Sequence, residues 1–164
     1  MQHLDETNAR VIADLQTSGS TALVKALQMV QLQKVIFAVG MFSIFESQLQ
    51  TAFGGDTGHA FQTAKKRLIA MRHCDLASRF DEVNDAINAL KHGRGRSYDR
   101  LVAKIGSLPF RVLAPDEHFY EEGDVSELHT LVRVDDRFVA LCGEIINQVA
   151  GRLKEMDPDL ASVI

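Results

Sequence analysis

The chain has 164 residues, 46% hydrophobic and 24% charged, which is ordinary for a soluble globular protein and enough for one domain with a real core. A formal charge of −4 excludes a polycation that coats nucleic acid without selectivity. Two cysteines, Cys74 and Cys142, make no disulfide framework; both fall in helix-like, mostly apolar settings, which predicts buried free thiols in a reducing cytosol.

The opening MQHLDETNAR is polar and acidic and lacks the basic-then-apolar order of a signal peptide, so a cytoplasmic location is expected. Leu4, Val11, Ile12 and Leu15 predict a short amphipathic helix over 4–16, broken by TSGS, with Ser20 or Thr21 as the next cap. From Thr21 to Phe53 one long helical pattern follows, with Leu23, Leu27, Val30, Phe37, Met41, Ile44 and Leu49 at helical spacing. Its most apolar run, VIFAVGMFSIF over 35–45, is shorter than the roughly 20 residues that span a bilayer. A fully buried central helix is expected there, and no membrane partner.

FGGDTGH over 53–59 predicts a turn, and a second helix follows over 60–72 with Lys65, Lys66 and Arg67 solvated. Asp75 either caps a third helix or lies within a continuation; Phe80, Val83, Ile87 and Leu90 give its seam, which ends at Gly93. Ser97 is expected to cap a short helix from Tyr98 to Ile105, stopped by Gly106. Two prolines and an acidic cluster then predict a long loop, with Phe110–Leu113 able to pair with LVRV at 131–134 as a short hairpin. Asp135 or Asp136 opens the last helix, which MDPDL ends. The expected fold is a single all-α domain over 1–164: a bundle of four to five helices with a long loop or short β-hairpin before the last.

Charge is segregated along the chain. Residues 65–104 hold 10 basic and 5 acidic side chains, net +5, leaving 8 basic and 17 acidic for the rest, net −9. The basic segment points to an anion or an acidic protein partner. At its centre is NALKHGRGRSYDRL, 88–101. A helix ending at Gly93 and another starting near Ser97 would turn backbone N–H groups and a positive dipole end outward. Arg94, Arg96 and Arg100, with Lys91, supply charge-assisted donors for phosphate, and Gly95 lets a phosphodiester approach the backbone. A plain interhelical turn accounts for both glycines but not for three arginines.

Asn84, Asn88 and His92 stand at i, i+4 and i+8 and form one polar stripe beside the apolar seam. His92 either stabilises the helix end as a charged cap or serves as acid, base or phosphate ligand beside the arginines. Glu46 follows the apolar run; if buried it needs a partner, and Lys91, His92 or an asparagine of the stripe is the expected one. The six histidines are scattered without HxxxH, CxxC or paired ExxH spacing, so neither metal nor cofactor is expected. The acidic stretch 116–127 is either a solvated loop or an arm that lies over the basic patch.

INALKHG, Ile87 to Gly93, resembles the signature helix of the HEPN superfamily. That family consists of all-α bundles, often dimeric, and many members are metal-independent RNA-cleaving toxins or defence effectors that leave 2′,3′-cyclic ends. Its motif is an arginine, often followed by Asn, His or Asp, then a histidine four to six residues beyond. Asn88 matches the second position and His92 the histidine, while Ile87 stands where the phosphate-holding arginine belongs. The similar region covers roughly 21–105. The resemblance implies the fold, a homodimer, and a non-catalytic or weakly catalytic module for RNA, nucleotide or an acidic partner, in a defence or toxin–antitoxin setting. Two alternatives stay open: a metal-independent ribonuclease using His92, and a structural or regulatory oligomerisation domain.

Overall fold

A computed structural model describes residues 21–54, 59–117 and 130–164. Among them are five α-helices: α1 (Thr21–Ala52), α2 (Ala60–Ala70), α3 (Cys74–His92), α4 (Arg96–Val102) and α5 (Asp136–Met156). Short 3-10 turns follow α4 and α5, at Ile105–Ser107 and Pro158–Ser162. The chain is an all-α helical bundle. The expected helix over 4–16, the Ser20 cap and most of the acidic stretch lie outside the described residues.

The long helix α1 buries Leu27, Val30, Ala38, Phe42, Phe45 and Leu49, spaced to fall on one stripe, against α5, α3 and α2. Lys34 occupies a position in that buried stripe, and its ammonium meets Asp136 in the first turn of α5 at 2.8 Å. The expectation of a fully buried helix is overturned: Ile36, Phe37 and Ile44 are each more than half exposed. A single helix turns only one stripe inward, so a run of consecutive apolar residues must leave some outside. By length and composition alone Val24–Ala52 is apolar enough to cross a bilayer. Its inward stripe, however, is part of the bundle core.

The core is organised around four phenylalanines. Phe61 of α2 meets Phe80 of α3 edge-on at 5.1 Å, and Phe42 and Phe45 of α1 close around them at 5.9–6.3 Å. Offset and edge-to-face arrangements suit the quadrupoles of the rings. α2 ends two residues earlier than expected, because the chain reverses in a Schellman turn. The His73 N–H reaches the Leu68 carbonyl and the Arg72 N–H the Ile69 carbonyl, both at 2.9 Å. Arg72 sits at φ 65°, a left-handed position that glycine usually fills.

On α3 the expected seam is inside: Phe80, Val83 and Ile87 are buried and Leu90 is half-buried. The residue before α3 is His73, without a side-chain cap, and Asp75 lies in the first turn, where a carboxylate favours the dipole. Gly93 ends the helix at φ 76°. The Ser97 cap is overturned, since α4 begins at Arg96 behind Gly95 and Ser97 Oγ instead accepts from Arg100. The hairpin reduces to one antiparallel bridge, Val112 to Val132, flanked by Leu113 N–H to Leu131 O and Arg133 N–H to Arg111 O. Tyr98 donates to the Leu113 carbonyl at 2.7 Å and ties α4 to that bridge. Asp135 caps α5 as expected, accepting from the Phe138 N–H at 2.9 Å.

The thiols divide. Cys142 is buried in the α5 seam, and desolvation pushes its pKa up to about 12, so almost no thiolate exists at neutral pH. Cys74, expected inside, is the exposed first residue of α3. Ellman's reagent at pH 8 is expected to titrate one thiol of the native protein within minutes and the second only after denaturation. Two rapid equivalents from folded protein would contradict the burial of Cys142.

Candidate functional site

Helix α3 decides which polar residues meet. Successive residues turn by about 100°, so Asn84, Asn88 and Lys91 at i, i+4 and i+7 share one face. Opposite that face stand Ser43 and Glu46 from α1, and His59 and Gln62 from the start of α2. Together they line a pocket of about 190 Å³ floored by Phe42, Phe61 and Ile87. Of the partners expected for Glu46, Lys91 and the asparagines share its pocket and His92 does not. The floor is apolar and the rim is amide, carboxylate, imidazole and ammonium, a mix that grips a flat polar ligand edge-on.

A second groove of about 440 Å³ along α2 and α3 adjoins the pocket. Phe61, Gln62 and Asn84 belong to both. Lys65, Lys66, Asp81 and Arg100 line the extension. Lys65 and Asp81 pair at 2.5 Å across it, while Lys66 stays exposed. The expectation that Lys65, Lys66 and Arg67 form one solvated face is thus corrected for two of the three. Arg67 stacks over Phe53 at 4.3 Å and reaches toward Asp157 at 3.8 Å.

The basic turn is dispersed differently from what its sequence suggests. Arg100 is a clamp between α4 and α3: Nε donates to Asp85 at 2.7 Å, and Nη2 bonds both the second Asp85 oxygen and Ser97. Asp85 is 5% exposed, and its hydrogen bonds raise the pKa of Arg100 above its already high value. Only Nη1 of Arg100 remains for a ligand in the groove. Arg94 lies over the Tyr98 ring at 5.8 Å and donates to the Pro115 carbonyl at 3.4 Å. Arg96, Lys91 and His92 are exposed. His92 is turned one residue past Lys91 and does not line the pocket.

The two glycines of the turn differ in what the backbone asks of them. Gly95 has φ 172°, extended backbone that any residue adopts, and a side chain there would meet nothing within 4 Å among the described residues. Gly93 is the glycine that the turn requires. The helix behind Gly95 has seven residues and starts at Arg96.

His59, Gln62, Ser43 and Asp85 were not singled out in the sequence. Gln62 lies three residues after His59, the spacing that puts both on one helical face. Asp85 is a carboxylate set between Val83 and Ala86 on a buried face, a position that demands a cation. A further cleft of about 570 Å³ lies at the opposite end of α3 against α5 and was not expected. Arg72, Arg79 and Arg152 line it, offset by Asp75 and Glu155, so its net field is weak. Among the described residues no group of three or more His, Cys, Asp or Glu side chains is placed to hold a metal ion. No protein-family model, curated protein or solved structure matches the chain.

Proposed function

We propose that the chain is a non-catalytic HEPN-like module that binds single-stranded RNA along the face formed by α2, α3 and the turn into α4. What carries this reading is a pair of adjoining pockets, one with Asn84, Asn88 and Lys91 around Phe61 and the next with Lys66 and Arg100. Amides read base edges, an aromatic floor accepts a stacked base, and the flanking cations meet phosphate. Arg94 and Arg96 at the exposed turn extend the positive surface beyond the groove. The same donors accept a free nucleotide, which is one short piece of this ligand.

Catalysis is disfavoured by two features. Ile87, at the position of the motif's arginine, is 3% exposed and has no donor to hold a phosphate. His92 stands outside the pocket in which Asn88 lies. The test is a labelled structured RNA with single-stranded loops, incubated in EDTA with wild type, His92→Ala or Lys91→Glu, and run on denaturing and native gels. The RNA is expected to stay intact and to shift on the native gel. Affinity should fall roughly 20-fold between 50 and 200 mM salt, as for three phosphate contacts on a single strand. Lys91→Glu should weaken the shift. Cleavage lost in His92→Ala would replace this reading with the ribonuclease. Absence of any shift at 50 mM salt would leave the oligomerisation domain.

A further inference from the structure

We infer, building on the RNA reading, that the pocket between α1, α2 and α3 selects guanine among the bases, with Glu46 reading one edge of the base and Lys91 the next. Glu46 is half-buried and Lys91 exposed, on different walls of the pocket. Among the described residues neither makes a hydrogen bond or an ion pair, and the same holds for Asn84 and Asn88. Two opposite charges and two amides thus line one cavity without satisfying each other. Elsewhere in the bundle opposite charges do close, as Lys34 does on Asp136, Lys65 on Asp81 and Lys104 on Glu82.

Size and charge point to a base in this pocket and a phosphate beside it. A cavity of about 190 Å³ is smaller than the roughly 300–1,000 Å³ of sites for drug-sized ligands, so it takes one heterocycle and not a whole nucleotide. Its one carboxylate offsets its one ammonium, which removes the advantage a phosphate would have there. The adjoining groove sets Lys65, Lys66 and Arg100 against Asp81 and is the better place for phosphate. The floor of Phe42, Phe61 and Ile87 is apolar, as the face of a base requires.

Edge chemistry then chooses the base. An ionised carboxylate only accepts hydrogen bonds, and an ammonium only donates. Guanine alone offers two adjacent donors on its Watson–Crick edge, N1–H and the N2 amino group, a match for both oxygens of Glu46. O6 and N7 on its next edge are both acceptors, a match for Lys91. Adenine fails on both sides, because N1 turns a lone pair toward the carboxylate and the N6 amino group turns its hydrogens toward the ammonium. Uracil has a single donor between two carbonyls, and cytosine sets an acceptor beside its amino group. The amides of Asn84 and Asn88 hold donors and acceptors alike, so the discrimination falls on the two charged groups.

The test is fluorescence anisotropy on the full chain at 50 mM salt, with labelled oligouridine carrying one central guanosine, adenosine, cytidine or inosine. A second arm titrates guanosine monophosphate and adenosine monophosphate by calorimetry. Wild type is expected to bind the guanosine oligomer roughly tenfold or more tighter than the adenosine one, the discrimination of one well-formed bidentate contact. Inosine, which lacks the N2 amino group, should fall between. Glu46→Gln replaces one acceptor with a donor, so guanosine and adenosine should converge, with an unchanged circular dichroism spectrum. Equal binding of the guanosine and adenosine oligomers by wild type would overturn the inference and leave the RNA reading standing. A guanosine preference that survives Glu46→Gln would overturn it too. If no oligomer binds while guanosine monophosphate is still preferred, the RNA reading fails and the base selectivity holds. No binding in either arm sinks both.

Discussion

Phe80→Ala is expected to lower the unfolding free energy by about 3–5 kcal/mol, the cost of emptying a large aromatic from a packed core. Phe80 is 1% exposed and contacts Phe42, Phe45 and Phe61, which come from two other helices. Removing its ring opens a hole that three helices line at once, and none can close it without leaving its own partners. The same ring wall separates the core from the groove, where Phe80 and Phe61 both contribute. Urea unfolding followed by circular dichroism measures the loss through its midpoint. Phe61→Ala, at a half-buried position, should cost visibly less. A Phe80→Ala midpoint within about 1 kcal/mol of wild type would mean the cluster is not the centre of the core.

The second large effect is an asymmetry. Arg100→Ala is expected to cost about 2–3 kcal/mol and Asp85→Ala only about 1, although both break the same pair. The reason is burial. The Asp85 side chain is 7% exposed, so without Arg100 its carboxylate stays desolvated and uncompensated. The Arg100 side chain is 56% exposed, and without Asp85 it hydrates where it stands. The double substitution should therefore be less damaging than Arg100→Ala alone. The same unfolding measurement on the three variants completes a double-mutant cycle. Equal single losses would show that Asp85 finds water or another donor.

The helices were legible because each obeys a local rule. Thr21–Ala52 has no proline and a sustained helical pattern, and the last helix announces itself through Asp135 and closes before Pro158. The seam of α3 follows the same periodicity. Periodicity also explains what was missed. An unbroken apolar run such as VIFAVGMFSIF has no preferred face, so its exposed half is invisible until neighbours are placed. Of the expected polar stripe, Asn84 and Asn88 line one pocket, with Lys91 and Glu46 beside them, while His92 stays outside it. The arginines did not, because charge alone does not reveal that Asp85 waits inside to hold Arg100. His59 and Gln62 reach the pocket only through the angle between α1 and α2, a tertiary quantity.

Lys34 and Asp136 have a consequence for how the two longest helices are aligned. An ion pair at such a site adds little net stability, since the desolvation of the ammonium offsets much of the attraction. Its effect falls on the competitors. Both helices turn a largely aliphatic and aromatic stripe inward, and one turn of sliding, about 5.4 Å, would exchange one such contact for another at modest loss. The same slide strands an ammonium among hydrocarbon. The pair thus acts as a vernier mark, selecting one height of α1 against α5 out of several that a greasy seam alone would tolerate.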